Sequence, residues 1–146
     1  MNKKPKVLLI DDNRALIFAA EQVLQKNGFE VLTAFNGAEG LELAQKEKPN
    51  IIILDILMPE MDGYEVCRRL KSNPETARIQ VIILSCKGEI DKSKKKATTR
   101  YGLRDVYDAY ECGACDFLTK PVTARQLLDA VRDQLKLSAL LGEAKY

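Results

Sequence analysis

The chain alternates between short, unbroken apolar runs and longer stretches whose apolar residues recur at helical spacing. The three strongest runs lie at 7–10, 51–54 and 81–84 and consist only of valine, isoleucine and leucine. Because polar residues do not interrupt them, these runs predict strands buried on both faces, as in a parallel sheet. Two weaker runs, at 31–34 and 117–119, predict two further strands.

The stretches between the runs carry apolar residues three and four positions apart, which predicts helices. The first such residues are Leu16, Ala38, Val66 and Ala124. Strand and helix therefore alternate, and the pattern predicts an α/β fold. Since crossovers between parallel strands are right-handed, we expect an open, doubly wound, five-stranded parallel sheet with helices on both faces.

A chain of 146 residues suits one such domain with a single core. The sequence has no signal peptide and no apolar span near the roughly 18 residues that a membrane helix needs. We therefore expect no membrane partner and a cytoplasmic location.

Polar residues follow four of the predicted strands at equivalent places: Asp11-Asp12, Asp55, Ser85 and Lys120. In open α/β sheets, ligands bind beyond the carboxyl ends of the strands. Two carboxylates about 4 Å apart repel by roughly 4 kcal/mol at an effective dielectric near 20, so three of them require a cation. Lys120 supplies one positive charge, and Mg²⁺ fits the remaining surplus of carboxylate oxygens.

Asp55 is the candidate nucleophile, because it is the only acid at the end of the central strand. A carboxylate can accept a phosphoryl group and form an acyl phosphate. Phosphoryl transfer depends mainly on positioning and on neutralisation of the transferring oxygens. Mg²⁺, the Lys120 ammonium and the Ser85 hydroxyl would provide that neutralisation.

At these positions the chain resembles the receiver domains of two-component response regulators, and in particular the single-domain chemotaxis regulators. The resemblance runs from about Lys6 to Leu137 and implies a flavodoxin-like strand order, 2-1-3-4-5. The residues that carry it are Asp11-Asp12, Asp55-Ile56-Leu57-Met58-Pro59, Met61-Asp62-Gly63, Ser85 and Phe117-Leu118-Thr119-Lys120-Pro121.

The resemblance implies a role for each acidic residue of the site. Asp55 would be the phosphoacceptor. Asp12 and Asp55 would bind Mg²⁺ together with the backbone carbonyl of Leu57, and Asp11 would act mostly through water.

It also implies a catalytic lysine and two switch residues. Lys120 would contact the phosphoryl group and precede a cis peptide bond to Pro121. Ser85 would move toward the phosphoryl oxygen, and Phe117 would turn inward, so that phosphorylation biases a two-state surface.

The sequence contains no histidine, so the chain cannot itself be a phosphohistidine donor. The phosphoryl group would come from a sensor histidine kinase, a phosphotransfer protein or a small phosphodonor. The output would be a downstream effector protein or a fused output domain, and a homodimer is one option. The chain would catalyse its own phosphorylation and dephosphorylation, and would be a switch more than a metabolic enzyme.

The segment between Ser85 and Lys120 is about a dozen residues longer than the family pattern. Within it, 87–104 has seven basic and two acidic residues, a net charge of +5. We expect a receiver domain at 1–137 with this basic insertion, followed at 138–146 by a tail or the start of a linker. The insertion is interpreted either as a solvated loop or as a docking surface for an acidic partner.

Direct contact with nucleic acid is not expected, because the basic segment has no recognisable reader motif. An alternative hypothesis is a pseudo-receiver, which would act through this segment as a phosphate-independent interaction module. A dehalogenase-like phosphatase is disfavoured, because Leu57 stands where its second aspartate would be.

Some of these residues also have simple structural interpretations. Taken alone, Asp12 and Asp62 are typical helix caps, and Gly63 is a typical turn former. Thr123 and Gln126 match a capping box at the start of the last helix. The four cysteines, which include the pair Cys112-Gly113-Ala114-Cys115, are interpreted as small buried residues.

Overall fold

The computed structural model describes residues 4–85 and 113–144. Its sheet has five parallel strands in the order β2-β1-β3-β4-β5. The predicted α/β class, strand number and strand order are therefore confirmed. The strands are β1 (Lys6–Ile10), β2 (Glu30–Ala34), β3 (Ile51–Asp55), β4 (Gln80–Ser85) and β5 (Asp116–Thr119).

Within the described residues, four helices flank the sheet: α1 (Arg14–Lys26), α2 (Gly37–Glu47), α3 (Gly63–Ser72) and α4 (Ala124–Ala144). The basic segment 87–104 lies outside the described part of the chain, and so do Cys86 and Cys112. None of the described helices is both long enough and apolar enough to cross a bilayer.

The strongest apolar runs form the three central strands. Side chains at 7–10, 51–54 and 81–84 are all at most 5% exposed. The edge strands β2 and β5 are only partly buried, which explains their weaker apolar pattern. Each fully buried valine, leucine or isoleucine contributes roughly 1.5–3 kcal/mol, so these central strands hold much of the stability.

Alternate side chains of the central strands enter two separate cores on opposite faces of the sheet. One core packs Ile52 and Leu54 against α2 and α3. The other packs Ile51 and Ile53 against α1 and α4. Helices therefore cover both faces, and the carboxyl ends of the strands remain the place where polar side chains gather.

Side chains cap the helices where they begin at that edge of the sheet. Asn13 Oδ1 accepts a hydrogen bond from the Leu16 amide at 3.1 Å, and Asp62 Oδ1 accepts one from the Glu65 amide at 2.9 Å. The capping interpretation is therefore confirmed for Asp62 and wrong for Asp12, because Asn13 caps α1 instead.

The capping box at the start of α4 is also confirmed. The Gln126 amide donates to Thr123 Oγ1 at 3.0 Å, and the Thr123 amide donates to Gln126 Oε1 at 2.9 Å. From there α4 continues to Ala144 and exposes Leu137 and Leu140. The last helix thus includes most of the residues expected to be a tail or linker.

Candidate phosphoryl-acceptor site

Strand register brings the polar residues to one edge of the sheet. Ile10 pairs with Leu54, so Asp11 and Asp55 are the next residues on adjacent strands. Ser85 pairs with Thr119, and Lys120 follows directly. Four strand ends therefore converge there, as the sequence predicts.

Three carboxylates form the centre of the site. Oxygen atoms of Asp11, Asp12 and Asp55 all lie within 4.8 Å of one another. Asp11 and Asp55 are each 3% exposed, whereas Asp12 is exposed at the surface. The cluster is therefore open to solvent on the Asp12 side and closed behind the other two aspartates.

Asp11 is held by both of its carboxylate oxygens. Oδ1 accepts a hydrogen bond from the Asn13 amide at 3.0 Å, and Oδ2 accepts one from Lys120 Nζ at 2.9 Å. The Asp11 amide also donates to the Ala34 carbonyl at 3.1 Å, which fixes the backbone beside β2. These bonds set the orientation of the carboxylate before any ligand arrives.

Lys120 is the cation that the acidic cluster requires. Its Nζ lies 3.0 Å from Asp55 Oδ1, and its side chain is only 14% exposed. Burial alone would lower the pKa of Lys120, but the hydrogen bond to Asp11 and the charge of Asp55 outweigh that effect and raise it. The peptide bond from Lys120 to Pro121 is cis, as predicted.

The Asp55 carboxylate has fewer hydrogen-bond donors than the Asp11 carboxylate. Its Oδ1 is buried and accepts no hydrogen bond of suitable angle from any described residue, although the Lys120 ammonium lies only 3.0 Å away. Burial, followed by the charge of Asp11, raises the pKa of Asp55 from 3.8 to about 6, although Lys120 opposes the shift. An ionised Asp55 is therefore costly at neutral pH unless a further positive charge approaches it.

The donor set suits a hard divalent cation. Carboxylate oxygens are the ligands that Mg²⁺ prefers, and Mg²⁺ usually keeps several waters, for which the exposed Asp12 leaves room. The buried Asp55 oxygen without a hydrogen bond is an observation independent of the clustering. These residues therefore fit the predicted magnesium site.

The other predicted site residues belong to β4, β5 and the loop after β3. Leu57 and Phe117 are partly buried and pack against the core beneath α2 and α3. The backbone of Ser85 ends β4 beside Thr119. The metal role of the Leu57 carbonyl and the switch roles of Ser85 and Phe117 stay predictions.

Gly63 has a role that its interpretation as a turn former missed. It is the first residue of α3, and a Cβ there would meet the backbone of Asp55 and the Cα of Ile56, the latter at 2.9 Å. Its amide donates to the Ile56 carbonyl at 2.9 Å. Glycine thus lets α3 begin directly against the backbone of the phosphoacceptor candidate.

The loop between β3 and α3 also contains a strained residue. Glu60 has a φ of +71°, in the left-handed region that side chains rarely adopt. The Met61 amide donates to the Pro59 carbonyl at 2.8 Å, which closes a tight three-residue turn around Glu60. No sequence signal marks this conformation, because glycine or asparagine would be the usual residue there.

Arg14 and Phe35 form a second feature that the sequence did not indicate. The guanidinium carbon of Arg14 lies 4.0 Å from the centroid of the Phe35 ring, a cation–π contact. Arg14 begins α1 just after the acidic pair, and Phe35 follows β2. The contact joins the two loops beside the cluster.

Comparisons with known proteins agree with this geometry. The family model described as "Response regulator receiver domain" matches residues 7–106. Protein PilH of Pseudomonas aeruginosa is 36% identical over 126 residues, which are 86% of this chain and 93% of PilH. The chain belongs to the response regulator receiver domain family.

A longer relative and a solved structure extend the comparison. The response regulator PleD of Caulobacter vibrioides is 34% identical over 96% of this chain, but the chain spans only 28% of PleD. A CheY-like receiver domain from Methanospirillum hungatei superimposes with a TM-score of 0.79 at 23% identity, covering 94% of this chain and 98% of that one. That likeness supports the fold.

Membership of this family makes the chain a signalling switch of a two-component system. The alternative of a phosphate-independent pseudo-receiver is not supported by these comparisons. The basic segment on which that alternative depended lies outside the described residues.

Proposed function

We propose that the chain is a phosphorylation-controlled receiver in which Asp55 accepts the phosphoryl group. One observation carries the proposal: the buried Asp55 carboxylate lies 3.0 Å from the Lys120 ammonium and within 4.8 Å of Asp11 and Asp12 oxygens. One oxygen of this carboxylate accepts no hydrogen bond from the described residues, so it can act as the nucleophile toward phosphorus. The neighbouring lysine can then contact the phosphoryl oxygens.

In the proposed reaction, a carboxylate oxygen of Asp55 forms a bond to phosphorus as the bond from phosphorus to the donor breaks. The donor's nitrogen or oxygen leaves with the bonding electron pair. Hydrolysis of the acyl phosphate later returns the Asp55 carboxylate and inorganic phosphate. The domain catalyses both steps on itself, mainly by positioning and charge neutralisation.

Asp11, Asp12 and Asp55 would hold Mg²⁺, with the Leu57 carbonyl as a further ligand. When bound, Mg²⁺ would offset the negative charge that accumulates on the phosphoryl oxygens. Lys120 would then shift from pairing with carboxylates to contacting the phosphoryl group, for which its position between Asp11 and Asp55 is suited.

Ser85 and Phe117 are proposed to transmit the change. They lie on β4 and β5, the neighbouring strands beyond Asp55. Ser85 would approach the new phosphoryl oxygens, and the half-buried Phe117 would turn inward behind it. A local gain of negative charge would thereby alter a surface that binds a partner.

The proposed donor is a sensor histidine kinase or a phosphotransfer protein, and the proposed recipient is an effector protein or a fused output domain. The lengths of the relatives do not distinguish these two recipients. The match covers 93% of PilH but only 28% of PleD. The cytoplasmic location, the absence of nucleic-acid contact and the option of a homodimer stay predictions.

The test is intact mass after incubation with acetyl phosphate and Mg²⁺. We expect a gain of one phosphoryl group that disappears without Mg²⁺ and in Asp55→Asn. Asp133→Asn changes an exposed aspartate on α4 and should keep the gain.

A folded protein that binds Mg²⁺ and gains no mass would contradict the proposal. So would a gain that persists in Asp55→Asn, because the phosphoryl group would then lie elsewhere.

A further inference from the structure

A cavity of about 280 Å³ lies between α1 and α4, on the face of the sheet opposite α2 and α3. Its floor is formed by β1, β3 and β4 through residues such as Leu9, Ile53 and Leu84. Ala19, Thr123 and Ala124 on its rim are exposed, so the cavity between α1 and α4 opens to solvent, and its size is close to the roughly 300 Å³ at which small-molecule pockets begin.

Small side chains create this space. Ala19 and Ala20 of α1 and Ala124 of α4 line the wall where larger residues would fill it. The two helices are joined further along, where Arg132 Nη2 donates to Asn27 Oδ1 at 3.3 Å. The gap thus belongs to the end of the helix pair nearest the carboxyl ends of the strands.

The polar groups on the cavity wall already have partners. Asp11 accepts hydrogen bonds from Asn13 and Lys120, and the Thr123 hydroxyl accepts one from the Gln126 amide. The rest of the wall is almost entirely aliphatic. No unpaired charge faces the cavity from these residues, so an ionic ligand would lose its hydration without compensation.

We propose that this cavity is a binding site for a neutral, mainly apolar small molecule of one or two rings. An aliphatic cavity of roughly 150 Å³ is enough for benzene in another protein, so 280 Å³ accommodates a compact bicyclic molecule. Because Asp11 and Lys120 are part of the wall, the bound molecule would touch two residues of the phosphoryl-acceptor site.

The experiment uses indole as the probe and the whole chain as the sample. Indole should bind saturably to the wild-type protein in calorimetry and should shift the methyl NMR signals of Val23 and Leu127, which line the wall. Ala20→Leu places a larger side chain in the cavity, in space that indole would occupy. It should weaken indole binding by about tenfold or more. Ala15→Leu adds the same side chain at an exposed α1 position off the wall and should leave binding unchanged.

Three results would overturn the proposal: no saturable indole binding to wild type, equal binding to Ala20→Leu, or shifts confined to methyl groups away from the cavity. The wild-type NMR map decides the question even if Ala20→Leu does not fold. The test needs no phosphodonor, so its outcome is independent of whether Asp55 is phosphorylated.

Discussion

At the scale of single residues, Asp55 is held between opposing influences. Burial and the charge of Asp11 favour its protonated form, while the Lys120 ammonium favours the ionised form, and the pKa settles at about 6. Strongly shifted acids in polar clusters are typical of functional sites. The residue is thus arranged for reactivity at a cost in stability.

This conflict predicts that Asp55→Asn stabilises the metal-free protein at pH 7. The pKa is raised from 3.8 in the unfolded chain to about 6 in the fold, so the contribution of Asp55 to stability is full below pH 3.8 and is lost as the pH rises through about 6. Replacing the carboxylate should raise the free energy of unfolding by on the order of 2 kcal/mol at pH 7 and by much less at pH 4.

Urea denaturation at both pH values, in the presence of a chelator, measures the difference. Asp133→Asn, at an exposed position, serves as the control and should change stability little at either pH. If Asp55→Asn raises the free energy of unfolding by the same amount at pH 4 and pH 7, ionisation of Asp55 is not the cause.

Glu60 presents a different kind of strain, in the backbone. Its φ of +71° brings Cβ into an unfavourable contact that glycine avoids. We expect Glu60→Gly to raise the free energy of unfolding by about 1 kcal/mol. Glu60→Ala removes the same carboxylate but keeps Cβ, so thermal denaturation of the two variants separates backbone strain from charge. Equal midpoints for both would contradict the prediction.

At the scale of elements, the position of α3 depends on one close approach. A Cβ on Gly63 would press on the backbone of Asp55 and Ile56. Backbone cannot rotate away as a flexible side chain does, so either the helix or the end of β3 must move. The geometry of Asp55 is therefore tied to the start of α3.

Gly63→Ala should consequently destabilise the fold by about 2 kcal/mol and slow phosphorylation of Asp55 by acetyl phosphate. Arg68→Ala alters an exposed residue of the same helix and should change stability by less than about 0.5 kcal/mol. Chemical denaturation and the mass-gain rate give the two readouts. A stable Gly63→Ala protein with the wild-type rate would show that α3 adjusts freely.

The sequence predicted the elements well but not their contacts. The runs at 51–54 and 81–84 became buried strands because an unbroken apolar run is stable only between two covered faces. The close approach at Gly63 arises only after α3 packs against β3, and no local pattern encodes it. Asn13 could have been recognised as the cap of α1, since asparagine before a helix is a strong signal.

At the scale of the whole molecule, the site exists because a parallel sheet aligns distant strand ends. Asp11 and Lys120 are 109 positions apart, yet they share a hydrogen bond of 2.9 Å. The sequence could predict this grouping, because parallel topology alone brings strand ends together. It could not predict that Lys120 hydrogen-bonds Asp11 but only forms an ion pair with Asp55, because that difference depends on side-chain geometry.

The same grouping predicts that Mg²⁺ stabilises the entire fold. A ligand that binds only the native state adds about 2.7 kcal/mol at a concentration one hundred times its dissociation constant. Asp12→Asn replaces the exposed carboxylate of this proposed ligand by a neutral amide and should abolish most of the Mg²⁺-dependent rise in the melting temperature. Asp133→Asn should retain it, and a rise of equal size in Asp12→Asn would place the ion at another site.

β3 lies in the middle of the sheet, with β1 on one side and β4 on the other, and its apolar side chains are at most 2% exposed. Amide hydrogens of such a strand exchange with solvent only when the whole molecule unfolds. We expect the edge strand β5 to open more readily, because it is only partly buried. A bond made at Asp55 would thus be attached to a central strand, so phosphorylation should change deuterium uptake at β5, on the edge of the sheet, and leave uptake in β3 unchanged.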